Sequence, residues 1–148
     1  MARHQSLFKK NNSYPYGWGL KGFGYAYGYE YISRFRPAKI LEVGAGLNIF
    51  FAARCRELGI EYWVCDDGSF YSDEVITKHS NQSGVTFVQG QVGQYLEALP
   101  TDYFDLILSV SVVEHVPQDT LNDFYADIMR MLKKPTACVR STEGGAEG

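Results

Sequence analysis

An apolar run that carries one acid and ends in two closely spaced glycines constrains this chain more than any other feature. The run is Ile40-Leu41-Glu42-Val43-Gly44-Ala45-Gly46. It predicts a buried strand that turns sharply beneath a ligand, because glycine lets the backbone approach a ligand closely. Glu42 lies two residues before Gly44, where a carboxylate repels a pyrophosphate and attracts a cation. The turn therefore favours a ligand that is positively charged near it.

The composition predicts one ordinary globular domain, with 148 residues of which 45% are hydrophobic and 21% are charged. No apolar run reaches the length of a membrane span, and the first ten residues lack the apolar core of a signal peptide. Cys55, Cys65 and Cys138 are odd in number and form no Cys-x-x-Cys pair. They favour reduced thiols in a cytoplasmic protein over a disulfide or zinc framework.

Charge and aromatic residues are unevenly distributed along the chain. Residues 1–36 hold six Lys and Arg residues, one acid and ten of the 22 aromatic residues, whereas the remainder holds eight bases and 16 acids. Basic residues interleaved with aromatic ones are able to bind single-stranded nucleic acid through stacking and phosphate contacts. We favour an aromatic lid or helix that packs over the core, and we expect no nucleic-acid partner.

From residue 39 onward, strand and helix patterns alternate. The predicted strands are 39–43, 62–65, 85–89 and 104–110, and the predicted helices are 48–58, 72–79, a short piece at 95–99 and a stripe over 121–131. Asn48 and Asp119 are the expected helix caps. Residues 25–35 fit a helix, although their alternating tyrosines also fit a strand. Such alternation predicts a parallel sheet with helices on both faces.

Polar residues follow the strands, at the sheet edge where open α/β sheets bind their ligands. Asp66 ends the second strand, and a carboxylate there is able to accept hydrogen bonds from ribose hydroxyls. Gln91 follows the third strand and offers a donor and an acceptor to an adenine edge, or is an exposed loop amide. Ser109, Glu114 and His115 follow the fourth strand. His115 is a candidate general base or a helix-capping residue.

Taken in order, these segments resemble the class I S-adenosylmethionine-dependent methyltransferases. Residues 41–46 are similar to the first motif of that family, and Asp66 matches its acid after the second strand. Residues 104–109 and 112–116 resemble its fourth-strand region, in the branch that methylates small molecules and glycans. Residues 121–135 resemble the next helix and its Leu-Lys-Pro turn. The resemblance covers about residues 37–135.

The resemblance implies an α/β, Rossmann-like fold, doubly wound around a mostly parallel sheet. It also implies S-adenosylmethionine as cofactor and methyl transfer by in-line displacement to a small-molecule or glycan-type acceptor. S-adenosylmethionine is positively charged, which agrees with the position of Glu42. The cofactor-binding residues that we predict are Glu42, Gly44, Ala45, Gly46, Asp66, Gln91 and Ser109. His115 is the predicted catalytic residue, and no metal site is expected.

Two departures from the family pattern qualify this prediction. Gln91 stands where many members have an aspartate, which is expected to weaken one adenine contact. The family sheet has seven strands, whereas this chain shows four and a short candidate fifth at 137–140, so we expect a sheet truncated after the fourth or fifth strand. We divide the chain into a lid or helix (1–36), a cofactor-binding core (37–135) and a short strand or disordered tail (136–148). An open sheet edge invites a homodimer or a partner chain.

Three other functions compete with an active methyltransferase. A short, catalytically weak protein that still binds the cofactor fits the missing strands and would need a partner to complete the sheet. An NAD-dependent reductase ranks low, because Ile49 occupies the place of the third glycine and Glu42 disfavours pyrophosphate. An RNA-binding or RNA-modifying role rests on the basic aromatic segment alone.

Overall fold

A parallel four-stranded sheet forms the centre of the protein. The computed structural model describes residues 19–47, 49–69 and 71–134. The strands are β1 (Lys39–Val43), β2 (Glu61–Asp66), β3 (Thr86–Gln89) and β4 (Leu106–Ser109). The helices are α1 (Gly19–Phe35), α2 (Ala52–Leu58), α3 (Asp73–Ser83) and α4 (Leu121–Met131), with a 3₁₀ turn at Val113–His115. The strand order is β3-β2-β1-β4, and every pairing is parallel.

Two apolar clusters, one on each face of the sheet, bury the central strands. Alternate residues of β1 enter different clusters, because successive side chains of a strand point to opposite faces. Ile40 packs with Phe51 and Ile32 from the α1 and α2 side. Leu41 packs with Phe124 and Met131 of α4 on the other side. The predicted α/β fold with helices on both faces is thereby confirmed.

The tyrosine-rich segment forms the helix α1 and not a strand. Tyr25 and Ile32 are buried in it, and Gly28 lets it approach closely, since a Cβ at that position would lie 2.8 Å from Cζ of Phe51. Phe35, at the end of the segment predicted to be helical, is instead 56% exposed. Residues 1–18 lie outside the described part of the chain, so the lid interpretation of this segment stays a prediction.

Several predicted boundaries are wrong. Helix α2 begins at Ala52, after Phe51 at the capping position; Asn48 itself lies outside the described residues. The helical piece predicted at 95–99 is a series of turns, because Tyr95 has a positive φ of 51° that interrupts a helix. Helix α4 is preceded by Thr120 at its cap, one residue after the predicted Asp119. The fourth strand is shorter than predicted, and the strand expected at 137–140 lies outside the described residues.

A buried ion pair joins α4 to the long loop between β3 and β4. Asp127, which is 6% exposed, accepts hydrogen bonds from Gly93 N (2.9 Å) and from Nε of Arg130 (2.7 Å). Nη1 of Arg130 donates in turn to the carbonyl of Leu99 at 2.7 Å. The loop is therefore held at two points by one helix.

Among the described residues, no helix is both long and apolar enough to cross a membrane.

Removing the Asp127 carboxylate is expected to lower the free energy of unfolding by about 3 kcal/mol, because it leaves the mostly buried Arg130 guanidinium without its counter-ion. Urea unfolding of the Asp127→Ala variant measures this loss. The matched control is Asn122→Ala, an exposed position on the same helix, which is expected to change stability by less than about 0.5 kcal/mol. Equal losses in the two variants would contradict this account of the ion pair.

Candidate functional site

The carboxyl ends of the four strands lie at one edge of the sheet and bring the predicted site residues together. Val43 is in register with Cys65 of β2 and with Ser109 of β4, and Asp66 is in register with Gln89 of β3. The glycine turn, Asp66, Gln91 and the loop after Ser109 therefore share one edge, as ligand-binding α/β sheets require.

The glycine turn at the end of β1 needs both of its glycines. Gly44 has a φ of 71° and Gly46 a φ of 58°, in the left-handed region that glycine adopts without cost. A Cβ on Gly44 would lie 2.3 Å from Cγ2 of Val112, so the loop after β4 rests directly on this turn. Ala45 is 7% exposed and packs into the core. Its contribution to a ligand site is therefore through the backbone.

Asp66 connects the glycine turn with the loop after β2. Its Oδ2 accepts a hydrogen bond from the backbone N–H of Gly46 at 2.8 Å, and its Oδ1 accepts one from Gly68 N at 2.9 Å. A carboxylate has about four lone-pair positions, so both oxygens keep capacity for further donors such as hydroxyl groups. The residue is only partly buried. Asp66 thus shapes the site and still offers acceptor positions in it.

Glu42 lies below the turn and is almost completely buried, with 1% of its surface exposed. Its Oε2 accepts a hydrogen bond from the hydroxyl of Tyr62, whereas its Oε1 is buried without a hydrogen-bond partner in the described part of the chain. Burial raises the pKa of Glu42 from its ordinary 4.5 to about 7, and the Tyr62 hydrogen bond offsets part of that rise. The carboxyl group therefore changes charge near neutral pH.

Gln91 belongs to a polar group at the ends of β2 and β3. Its Nε2 lies 3.4 Å from Oδ2 of Asp67, and its Oε1 accepts a hydrogen bond from Nε2 of Gln94 at 2.9 Å. The backbone N–H of Ser69 holds the pKa of Asp67 below its usual range, so this carboxylate is ionised at neutral pH. Gln91 is exposed and lies two residues after Gln89, the register partner of Asp66; its contact with an adenine edge stays a prediction.

The loop after β4 places its polar residues at the same edge without close side-chain partners among the described contacts. Ser109 and His115 are exposed, and the backbone N–H of His115 donates to the carbonyl of Val112 at 2.8 Å. Glu114 is also exposed, on the same 3₁₀ turn. The structure thus places His115 on the loop after β4, and its catalytic role stays a prediction.

Three residues of this site were not predicted from the sequence: Tyr62, Val112 and Tyr71. Tyr71 lies beside the turn, because a Cβ on Gly46 would be 3.3 Å from its hydroxyl oxygen. Tyr62 was detectable in principle, since it occupies the face of β2 that adjoins Glu42 when β1 and β2 pair in parallel. The contact of Val112 with Gly44 depends on the path of a loop, which no periodicity predicts. In the described residues, no cluster of three or more His, Cys, Asp or Glu residues is placed to hold a metal ion.

The comparisons with known proteins agree with this geometry. Residues 41–139 match the family profile described as a methyltransferase domain. No curated protein sequence matches the chain.

Many solved structures share the fold, among them three methyltransferases that align with most of this chain. A proposed S-adenosyl-L-methionine-dependent methyltransferase from Methanococcus maripaludis is 21% identical, with a TM-score of 0.60, over 90% of this chain and 58% of that structure. A SAM-dependent methyltransferase from Archaeoglobus fulgidus is 23% identical, with a TM-score of 0.57, over 87% of this chain and 53% of that one. A third structure is the 1,6-didemethyltoxoflavin-N1-methyltransferase of Burkholderia thailandensis, solved with bound 1,6-didemethyltoxoflavin and S-adenosylhomocysteine. It is 19% identical, with a TM-score of 0.59, over 89% of this chain and 56% of that structure. This chain therefore spans little more than half the length of these structures.

Replacing Glu42 by glutamine is expected to change the pH dependence of stability. A folded-state pKa of about 7 against an ordinary 4.5 means that the native state binds the extra proton, so wild-type stability falls as pH rises from about 4.5 to 7, by about 3 kcal/mol in total. The Glu42→Gln variant lacks the titrating carboxyl group and therefore this pH-dependent contribution to stability. Its stability relative to the wild type, measured by urea unfolding, should therefore increase between about pH 5 and pH 8.

The matched control for this measurement is Glu97→Gln, because Glu97 is an exposed loop residue. Its stability relative to the wild type should stay constant over the same pH range. A constant difference for Glu42→Gln as well would show that the Glu42 carboxyl does not titrate near neutral pH in the folded protein.

Proposed function

This chain belongs to the methyltransferase-domain family, and we propose that it binds S-adenosylmethionine at the carboxyl edge of its sheet. We further propose that it transfers the methyl group of this cofactor to a small-molecule or glycan-type acceptor. The observation that supports this best is the hydrogen bond from Gly46 N to Asp66. It joins the two cofactor-binding elements predicted from the sequence, which lie 20 residues apart in the chain.

The residues of the site suit both ends of such a cofactor. Glu42 offers a buried carboxyl with a free oxygen atom below the turn, near which we place the ammonium group of the methionine part. Asp66 keeps acceptor positions for ribose hydroxyls. Gln91, beside Asp67, is the proposed partner of the adenine edge. The methionine part is bordered by the backbone of the glycine turn, which is Gly44, Ala45 and Gly46, and by Ser109 at the end of β4.

The cofactor, when bound, supplies a methyl group on a positively charged sulfur. The task of the protein is to align the acceptor with that methyl group and to keep water away, since alignment alone accounts for a large part of the rate in such reactions. We propose that the imidazole of His115 accepts the proton that the acceptor loses. The exposed position of His115 on the loop after β4 is compatible with contact to an acceptor that arrives from solvent.

The small-molecule acceptor class is supported by the structural similarity to the toxoflavin methyltransferase and by the resemblance of the fourth-strand region. We also propose a cytoplasmic location. It is supported by the described cysteines, Cys55 and Cys65, which are free and buried. Burial raises the pKa of each thiol to about 12, so neither is a reactive thiolate.

A second candidate function is cofactor binding that becomes productive only with a partner, either a second copy or another chain. It is favoured by the outer edge of β4. In the described residues, β4 is paired as a strand only with β1, and Leu106, Ile107 and Leu108 are half-buried there. Sedimentation velocity combined with a methylation assay separates the candidates, because a monomer with turnover excludes the second.

The Asp66→Ala variant is expected to bind S-adenosylhomocysteine at least tenfold more weakly than the wild type, which is about 1.4 kcal/mol. It loses the ribose acceptors and the hydrogen bond to Gly46 N. Isothermal titration calorimetry measures the affinity, and circular dichroism confirms that the variant is folded.

Asp67→Ala is the matched control, since Asp67 is an exposed acid next to Asp66 and bonds to Ser69 N rather than to the glycine turn. A smaller loss of affinity is expected for it. Unchanged affinity in Asp66→Ala would exclude the assigned role of Asp66, and the absence of binding by the wild-type chain would contradict the proposed function.

A further inference from the structure

The hydroxyl of Tyr62 donates a hydrogen bond to the carboxyl group of Glu42. The cofactor contacts proposed above do not explain this hydrogen bond. Both residues are buried, with 1% exposure for Glu42 and 6% for Tyr62. The tyrosine engages Oε2 and leaves Oε1 without a partner among the described residues. A buried polar atom without a partner is costly, and such atoms are often satisfied by a bound group.

The groups around this pair come from three elements. Cys55 of α2 interacts electrostatically with Glu42 and Tyr62, and Tyr25 of α1 interacts with Tyr62. On the β4 side, Leu108 is in register with Glu42 and contributes no charge. Burial raises the pKa of Tyr62 well above its usual value and that of Cys55 to about 12, so both stay protonated at neutral pH. Of the pair and Cys55, only Glu42 changes charge between about pH 5 and 8.

We propose that Tyr62 is a positioning residue that holds Glu42 as a proton-exchanging group beneath the glycine turn. This inference rests on the proposed function. When the ammonium group of the cofactor binds at the turn, the Glu42 carboxyl releases its proton to solvent and becomes the counter-ion of that ammonium group. No other atom changes its bonding in this step. The consequence is that affinity for ligands with this ammonium group depends on pH.

The direction of this dependence follows from the charges. A cation near a carboxyl group favours its ionised form, so ligand binding lowers the pKa of Glu42. Glu42 has one pKa in the ligand-bound protein and a higher one in the free protein. Between these two values, ligand binding is accompanied by proton release, and the affinity rises with pH by at most tenfold per pH unit. Above the free pKa, which is about 7, the affinity reaches a plateau.

Tyr62 sets where that plateau begins. Its hydroxyl donates to the carboxylate and so stabilises the ionised form of Glu42, which lowers the pKa of that group. The Tyr62→Phe variant keeps the ring and loses this donor. The rise in affinity is therefore expected to shift to higher pH, while the plateau affinity stays close to that of the wild type. A purely structural role for Tyr62 would instead lower the affinity equally at every pH.

Calorimetric titration of the full chain with S-adenosylhomocysteine at several pH values between about 5.5 and 8.5 tests this proposal. Repeating each titration in two buffers of different ionisation enthalpy counts the protons released. Methylthioadenosine is the matched control ligand, because it lacks the amino-acid part and its ammonium group. We expect rising affinity and proton release for S-adenosylhomocysteine, and neither for methylthioadenosine.

Two variants complete the test. Glu42→Gln is expected to abolish the pH dependence, and Tyr62→Phe is expected to move its midpoint upward. If S-adenosylhomocysteine binds the wild type with constant affinity and no proton release, the inference is overturned and the proposed function stands. An unchanged midpoint in Tyr62→Phe overturns the role of Tyr62. If neither ligand binds at any pH, the inference and the proposed function are both overturned.

Discussion

The carboxylate of Asp66 is the contact on which the geometry of the site depends. One of its oxygens holds the backbone of Gly46 and the other holds that of Gly68, so two loops from neighbouring strands are fixed relative to one another. Neither loop has regular secondary structure to orient it. Charged acceptors form the stronger class of hydrogen bonds to backbone N–H groups. A single side chain at the end of β2 therefore fixes the relative position of these loops, as backbone hydrogen bonds fix the relative position of the strands.

The site combines two carboxyl groups in very different surroundings. Asp66 is partly exposed and bonded by two backbone donors, whereas Glu42 is enclosed by apolar and aromatic residues and bonded by one hydroxyl. Burial disfavours charge and donors favour it. The same chemical group thus bridges two loops in one position and gains and loses a proton in the other.

The sequence was sufficient for the architecture and for which residues meet at the edge. Strand patterns place residues on a parallel sheet, and parallel pairing then brings Gly44, Asp66 and Ser109 to one end without further information. It was insufficient where the outcome depends on tertiary contacts. The turns at 95–99 are helical in composition, yet Tyr95 adopts a left-handed φ. The burial of Glu42 against Tyr62 and the contact of Val112 with Gly44 likewise depend on the spacing between elements, which local patterns do not encode.

The ion pair between Asp127 and Arg130 has a consequence for how the molecule opens. It anchors the irregular chain between β3 and β4 at Gly93 and at Leu99, and both anchors come from one turn of helix α4. Segments tied in this way open together as one cooperative unit. Gln91 lies two residues before the first anchor, so we expect its backbone to open together with α4. A ligand that orders the backbone at Gln91 is therefore expected to slow hydrogen exchange along α4 as well.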